Sequence, residues 1–234
     1  MTAPRDGMLV LLDDLERRDA TIAAATAELE GVLSRASAVA ARAAEIEAFL
    51  ERLPVERAEL EGALVEASAE TESRRAAFAD AARELVRAEA DGKREPLAAA
   101  RRAGVRTRDS LAVAGRRLVQ LREEREALER RAGGLAAEVP RLELEAATVA
   151  DLVPRLARGV GPGTVAPLPG TAGLLDWGSR VRFALFVALN ALAKERDDVM
   201  RQANELGAVV LGEVLSATSV ALVRRRLEAA RSSS

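Results

Sequence analysis

The chain has 234 residues and a mass of 24.8 kDa; 49% of it is hydrophobic, only 2% is aromatic, and the net charge is −2. Alanine alone makes up about a fifth of the residues, and Ala, Glu, Arg, Leu and Val together dominate, a composition of long helices rather than sheets. The absence of His, Cys and Tyr removes the commonest general base, every thiol nucleophile, every disulfide and the usual transition-metal ligands. The expectation is therefore a non-enzymatic, all-α protein without a cofactor or metal.

The first segment runs from about Met8 to Leu53. Steps of seven from Met8 give Leu15, Ile22, Leu29, Ala36, Ala43 and Leu50. The companion series is Leu11, Arg18, Ala25, Val32, Val39, Ile46 and Leu53. All but Arg18 are apolar, which is a sustained heptad seam. The apolar run Met8–Leu12 is too short for a secretory h-region and is followed at once by Asp13, Asp14 and Glu16, so cytoplasmic residence is expected. Pro54 marks a kink or the first turn of a new helix. Beyond it Leu60, Leu64, Ala67, Thr71, Arg74, Phe78, Ala81, Leu85 and Ala88 keep seam spacing as far as Asp91. If straight, an arm from Met8 to Asp91 would be on the order of 120 Å long at 1.5 Å per residue.

Residues 92–96, Gly-Lys-Arg-Glu-Pro, read as a turn, with Gly ending one helix and Pro opening the next. The return arm carries two series, one from Leu97 through Leu111, Leu118 and Ala132 to Val153. The other runs from Ala100 through Ala114, Leu121, Leu128 and Leu142 to Leu156. Kinks are expected near 54 and at 133–140, where Gly133, Gly134 and Pro140 lie. Charge supports folding back: residues 56–91 hold ten acids and five Arg, whereas 93–117 hold eight basic residues and two acids. Glu66, Glu70 and Glu72 would then approach Arg116 and Arg117, and Asp80, Glu84 and Glu89 would approach Arg101, Arg102 and Arg106. Residues 1–158 are thus expected to form an elongated antiparallel coiled-coil hairpin.

Residues 159–173 are rich in Gly and Pro and read as a linker. Gly159, Gly161, Gly163 and Thr164 superficially match a phosphate loop, but a Walker loop needs GxxxxGK[ST] after a strand, and the next lysine is Lys194. Residues 174–230 form the most apolar part of the chain, expected as one long helix or as a pair broken near Gly207, with residues 231–234 a disordered tail. Apolar residues lie on more than one face of this segment. Leu185, Leu189, Leu192, Val199, Leu206, Val210 and Leu215 exceed what one narrow seam buries, and Ala208, Gly212 and Ser216 form a small-residue strip. These ten residues are the candidate oligomer interface, with a homodimer as the expected partner arrangement.

Two other surfaces carry functional readings. The run Arg94, Arg101, Arg102, Arg106, Arg108, Arg116 and Arg117 is a candidate basic patch for nucleic acid, although no aromatic is interleaved for stacking. Residues 207–223 hold one charge, Glu213, and precede Arg224, Arg225 and Arg226. Three Leu and five Val there contribute about −2.4 to −4.8 kcal/mol to membrane insertion, against about +2.5 to +3.5 for a central acid. Insertion is near balance, so a buried helix or interface is expected over a span, with peripheral membrane contact as the alternative. Three long, proline-interrupted helices are similar in length and helix count alone to BAR-type domains, and that likeness implies a membrane-shaping module. The leading expectation is a self-associating scaffold that bridges protein partners.

Overall fold

A computed structural model describes residues 3–157, 161–212 and 220–232. The described residues form helices joined by short turns, without a strand. Helix α1 spans Ala3–Asp91 and α2 spans Arg94–Leu156. A 3-10 turn, Pro162–Thr164, precedes α3, Gly170–Leu211, and α4 covers Val220–Ser232. Gly92 makes the turn between α1 and α2 with φ +69°, a left-handed conformation that costs glycine nothing. Pro54 lies inside α1, and Pro140 and Pro154 inside α2, so both helices continue past residues that each remove a backbone hydrogen bond.

The chain divides into two compact units, residues 45–138 and residues 1–44 with 139–234. Within 45–138, both helices bury mainly small residues. Ala67, Thr71, Ala81 and Ala88 are buried from α1, and Ala100, Ala114 and Ala132 from α2. Arg74, a charged seam position, is exposed, as is Arg125, which lies seven residues after Leu118 of the return series. Cross-helix ion pairs join Arg57 to Glu129 (2.6 Å), Arg117 to Glu70 (3.8 Å) and Arg101 to Glu89 (3.7 Å). One partner's number rises as the other's falls, the order of antiparallel strands of helix. Phe49, Leu53 and Ala132 form a small core with Leu50, Leu128 and Leu135 against it. Leu53 precedes Pro54 and Ala132 precedes Gly133, so the two interruptions lie beside the same cluster.

In the other unit the C-terminal helices add layers. Leu12, Leu15 and Ile22 of α1 pack with Val199 and Ala203 of α3 and Val220, Val223 and Leu227 of α4. Here the expected seam slips by one residue: Leu12 is fully buried while Leu11, the heptad position, is 57% exposed. The packing of α3 and α4 selects the face, and a one-residue step turns a helix by about 100°. Arg196 reaches Asp19 (3.0 Å), and Arg224 binds Asp13 and Glu16, the latter at 2.9 Å. The acidic N-terminal turns thus meet basic residues from the far end of the sequence.

Two expectations require correction. The segment read as a linker is tied down: Val165 is buried, its carbonyl accepts the Trp177 indole N–H (2.8 Å), and Arg180 donates to the carbonyls of Thr164 and Ala166. Helix α3 already begins at Gly170, whose N–H donates to Glu143 (2.7 Å). The C-terminal segment is also not one long apolar helix. Helix α3 carries the charged run Lys194–Asp198, and it stops at Gly212, not Gly207. Gly212 caps it at φ +65° with its N–H on the Ala208 carbonyl (2.9 Å), whereas Gly207 is buried in regular helix. Among the described residues no helix is long and apolar enough to cross a membrane.

Candidate functional site

The basic run lies on α2 within residues 45–138, and its seven arginines are exposed. Arg101 and Arg117 pair with the acids of α1 given above, and Arg108 pairs with its neighbour Asp109 (3.2 Å). Arg94, Arg102, Arg106 and Arg116 have no ion-pair partner among the described residues. Asp80, expected opposite the run, instead pairs with Arg83 along its own helix. Arg102 and Arg106, with the paired Arg101, line a shallow groove beside Ala99 and Val105.

The residues expected at an oligomer interface differ in burial among those described. Leu185 and Val199 are fully buried within the chain, and Leu189, Leu192, Leu206, Ala208 and Val210 are half-buried. Leu192, Leu206 and Val210 lean on the core made by α1, α3 and α4. Gly212 is an exposed cap, and Leu215 and Ser216 lie outside the described residues, as does much of the membrane-like stretch 207–223. Of the small-residue strip, Ala208 lies within α3 and Gly212 caps it.

The apolar surplus of α3 lies elsewhere. Phe183, Phe186 and Val187 are 71%, 58% and 51% exposed. Sequence reasoning passed over them, although their i, i+3, i+4 spacing on the side opposite Val181 and Leu185 was a readable signal. Phe49 was missed for a subtler reason. It falls one position before Leu50 of the seam and is nevertheless the buried one, with the Arg131 guanidinium 4.6 Å from its ring centroid.

Arg57 and Glu129 make a two-pronged contact at 2.8 and 2.6 Å. Its hydrogen bonds hold the Glu129 carboxyl below the ordinary carboxylate range and raise the Arg57 guanidinium. Both groups are at the surface, where solvent weakens the pair. The glycine-rich loop shows ordinary turn bonding, Thr164 N–H to the Gly161 carbonyl (3.0 Å), and Gly159 lies outside the described residues. No group of three or more acids that could hold a metal ion occurs among the described residues. No protein-family model matches the chain, and no curated protein or solved structure matches it either.

Proposed function

We propose that this protein is a non-enzymatic scaffold: an antiparallel coiled-coil hairpin of α1 and α2 that self-associates through its C-terminal helices and bridges protein partners in the cytoplasm. The observation that carries the reading is the cross-helix pairing of 45–138, where a buried alanine seam is flanked by Arg57–Glu129, Glu70–Arg117 and Glu89–Arg101. A two-helix pair of this kind offers length and charged flanks for other chains to dock on. Its seam is satisfied within one copy, so self-association falls to the remaining apolar surface of α3.

A peripheral membrane-binding module is the second reading, favoured by the exposed phenylalanines of α3. Light scattering of the intact chain decides between them. The scaffold reading expects a mass near twice 24.8 kDa at tens of micromolar without lipid. A monomer that co-sediments with phospholipid vesicles would transfer the assignment to the membrane. Retardation of DNA that fades with added salt would instead favour a nucleic-acid-binding arm built on the free arginines of α2.

A further inference from the structure

Helix α3 has two apolar faces. One, made by Leu174, Trp177, Val181, Leu185, Val199 and Ala203, is buried within the chain. At about 100° per residue, Phe183, Phe186 and Val187 fall on the opposite side, and all three are more than half exposed. Two aromatic rings of ~150–250 Å² each, so exposed and one turn apart, are a substantial apolar island on one helix. The same side carries Asp176 and Arg180 before the island, and Asn190 and Lys194 after it. Asp176 pairs with Arg180 (2.9 Å), whereas Lys194 is exposed and has no ion-pair partner among the described residues.

We propose that this face docks a second copy of the chain, α3 against α3, antiparallel about a two-fold axis that crosses the exposed side at the level of residue 185. The inference rests on the self-association proposed above and specifies its surface and register. An axis there lays Phe183 of one copy on Val187 of the other, brings the two Phe186 rings together, and repeats both contacts by symmetry. It also sets Asp176 opposite Lys194 of the second copy, at both ends of the island. A parallel alignment would place Lys194 against Lys194 and Asp176 against Asp176, so charge selects the antiparallel arrangement. Charge also argues for a copy over a lipid surface. Acids sit among the bases on and beside this side, Asp176 and Asp197 among Arg180, Arg182, Lys194 and Arg201, in place of the purely basic rim that an interfacial helix presents to anionic lipid. The contact is small, below the ~1,200 Å² of a standard interface, so the dimer forms in the micromolar range and depends on concentration.

The test is sedimentation equilibrium of the full chain from micromolar to hundreds of micromolar. Replacing both exposed rings, Phe183→Ser with Phe186→Ser, should lower the association constant by about tenfold or more while circular dichroism stays unchanged, because neither ring is in the core. Lys194→Asp alone should weaken the dimer, and adding Asp176→Lys should restore it. The chain has no cysteine, so Arg201→Cys gives a single spin-label site. Antiparallel α3 helices put two such labels about 50 Å apart at 1.5 Å per residue, whereas parallel ones leave them about 10 Å apart. A dimer that ignores the double serine variant overturns this surface but leaves self-association standing. A monomer throughout overturns both, and one that also binds neutral and anionic vesicles through Phe183 and Phe186 identifies lipid as the occupant.

Discussion

Residues 45–138 and the rest of the chain use the same helices, α1 and α2, and reach different cores. Beyond Ile46, Phe49 and Leu53, every buried apolar residue of 45–138 is alanine. Larger seam residues such as Leu60, Leu64, Leu118 and Leu121 remain half-exposed. The other unit buries Trp177, Leu12, Leu29, Leu174, Leu185 and several valines completely. Two helices touch along one stripe, so only small residues near their common axis escape water. A third and fourth helix cover the flanks of that stripe, and large side chains can then be enclosed. Core depth here follows from the number of packed helices together with the seam itself, which within 45–138 carries Thr71, Arg74 and Arg125.

The sharpest test of that contrast is a truncation in each region. Trp177→Ala removes a fully buried ring and its hydrogen bond to the Val165 carbonyl, and should cost about 3–5 kcal/mol of unfolding free energy. Leu60→Ala removes a side chain that is already half in water, and should cost about 1 kcal/mol, half the transfer value of a buried leucine. Urea unfolding followed by circular dichroism measures both. Equal losses would mean that the two units share one cooperative core.

Glycine replacements separate the regions by sign. A Cβ on Gly178 would lie 2.5 Å from the Ala40 Cβ, closer than carbon atoms can approach. Gly178→Ala should therefore destabilise by about 1–3 kcal/mol through overpacking, and Ala40→Gly should recover part of the loss. Gly62, on α1 within 45–138, has nothing near the position of its Cβ. Gly62→Ala should raise stability by up to about 1 kcal/mol through helix propensity alone. A destabilised Gly62→Ala would show that the two-helix region is more tightly packed than its alanine seam implies.

The same contrast explains what could be read in the sequence. Seven-residue spacing located most of the buried stripe on α1 and α2, and the turn at Gly92, because a two-helix contact is a local pattern repeated many times. It erred where tertiary neighbours choose the face. Leu12 in place of Leu11, and Phe49 beside Leu50, depend on what packs against them. The packed strap at 161–169 was read as a linker because Gly and Pro signal irregular backbone, not whether that backbone is anchored. Val165 and Trp177 are held together by a hydrogen bond across 12 residues, which no periodicity encodes. On α3 the two-faced apolar pattern was visible, but which face lies inside follows only from the positions of Leu12, Ile22 and Val220 around it.

The smallest expected effect concerns the charged flank of the two-helix region. Arg57 holds the Glu129 carboxyl below its ordinary range, mainly through the hydrogen bonds between them, with the charges of Arg57 and Arg125 adding and desolvation opposing. A carboxyl with a depressed folded-state pKa binds its proton less readily in the folded chain than in the unfolded one. Its contribution to stability is therefore fully present above the unfolded carboxylate pKa and disappears as pH falls through the lower, folded value. Glu129→Gln should lower the melting temperature slightly at neutral pH, and the gap to wild type should close in acid. Added salt should narrow the gap at neutral pH as well, because both groups face solvent. Arg57→Met should show the same pH dependence, and the double variant should lose little more than either single one. A gap that persists unchanged into acid would mean that Glu129 acts through packing or helix propensity, and that the ion pair with Arg57 does not help to hold α1 and α2 in register.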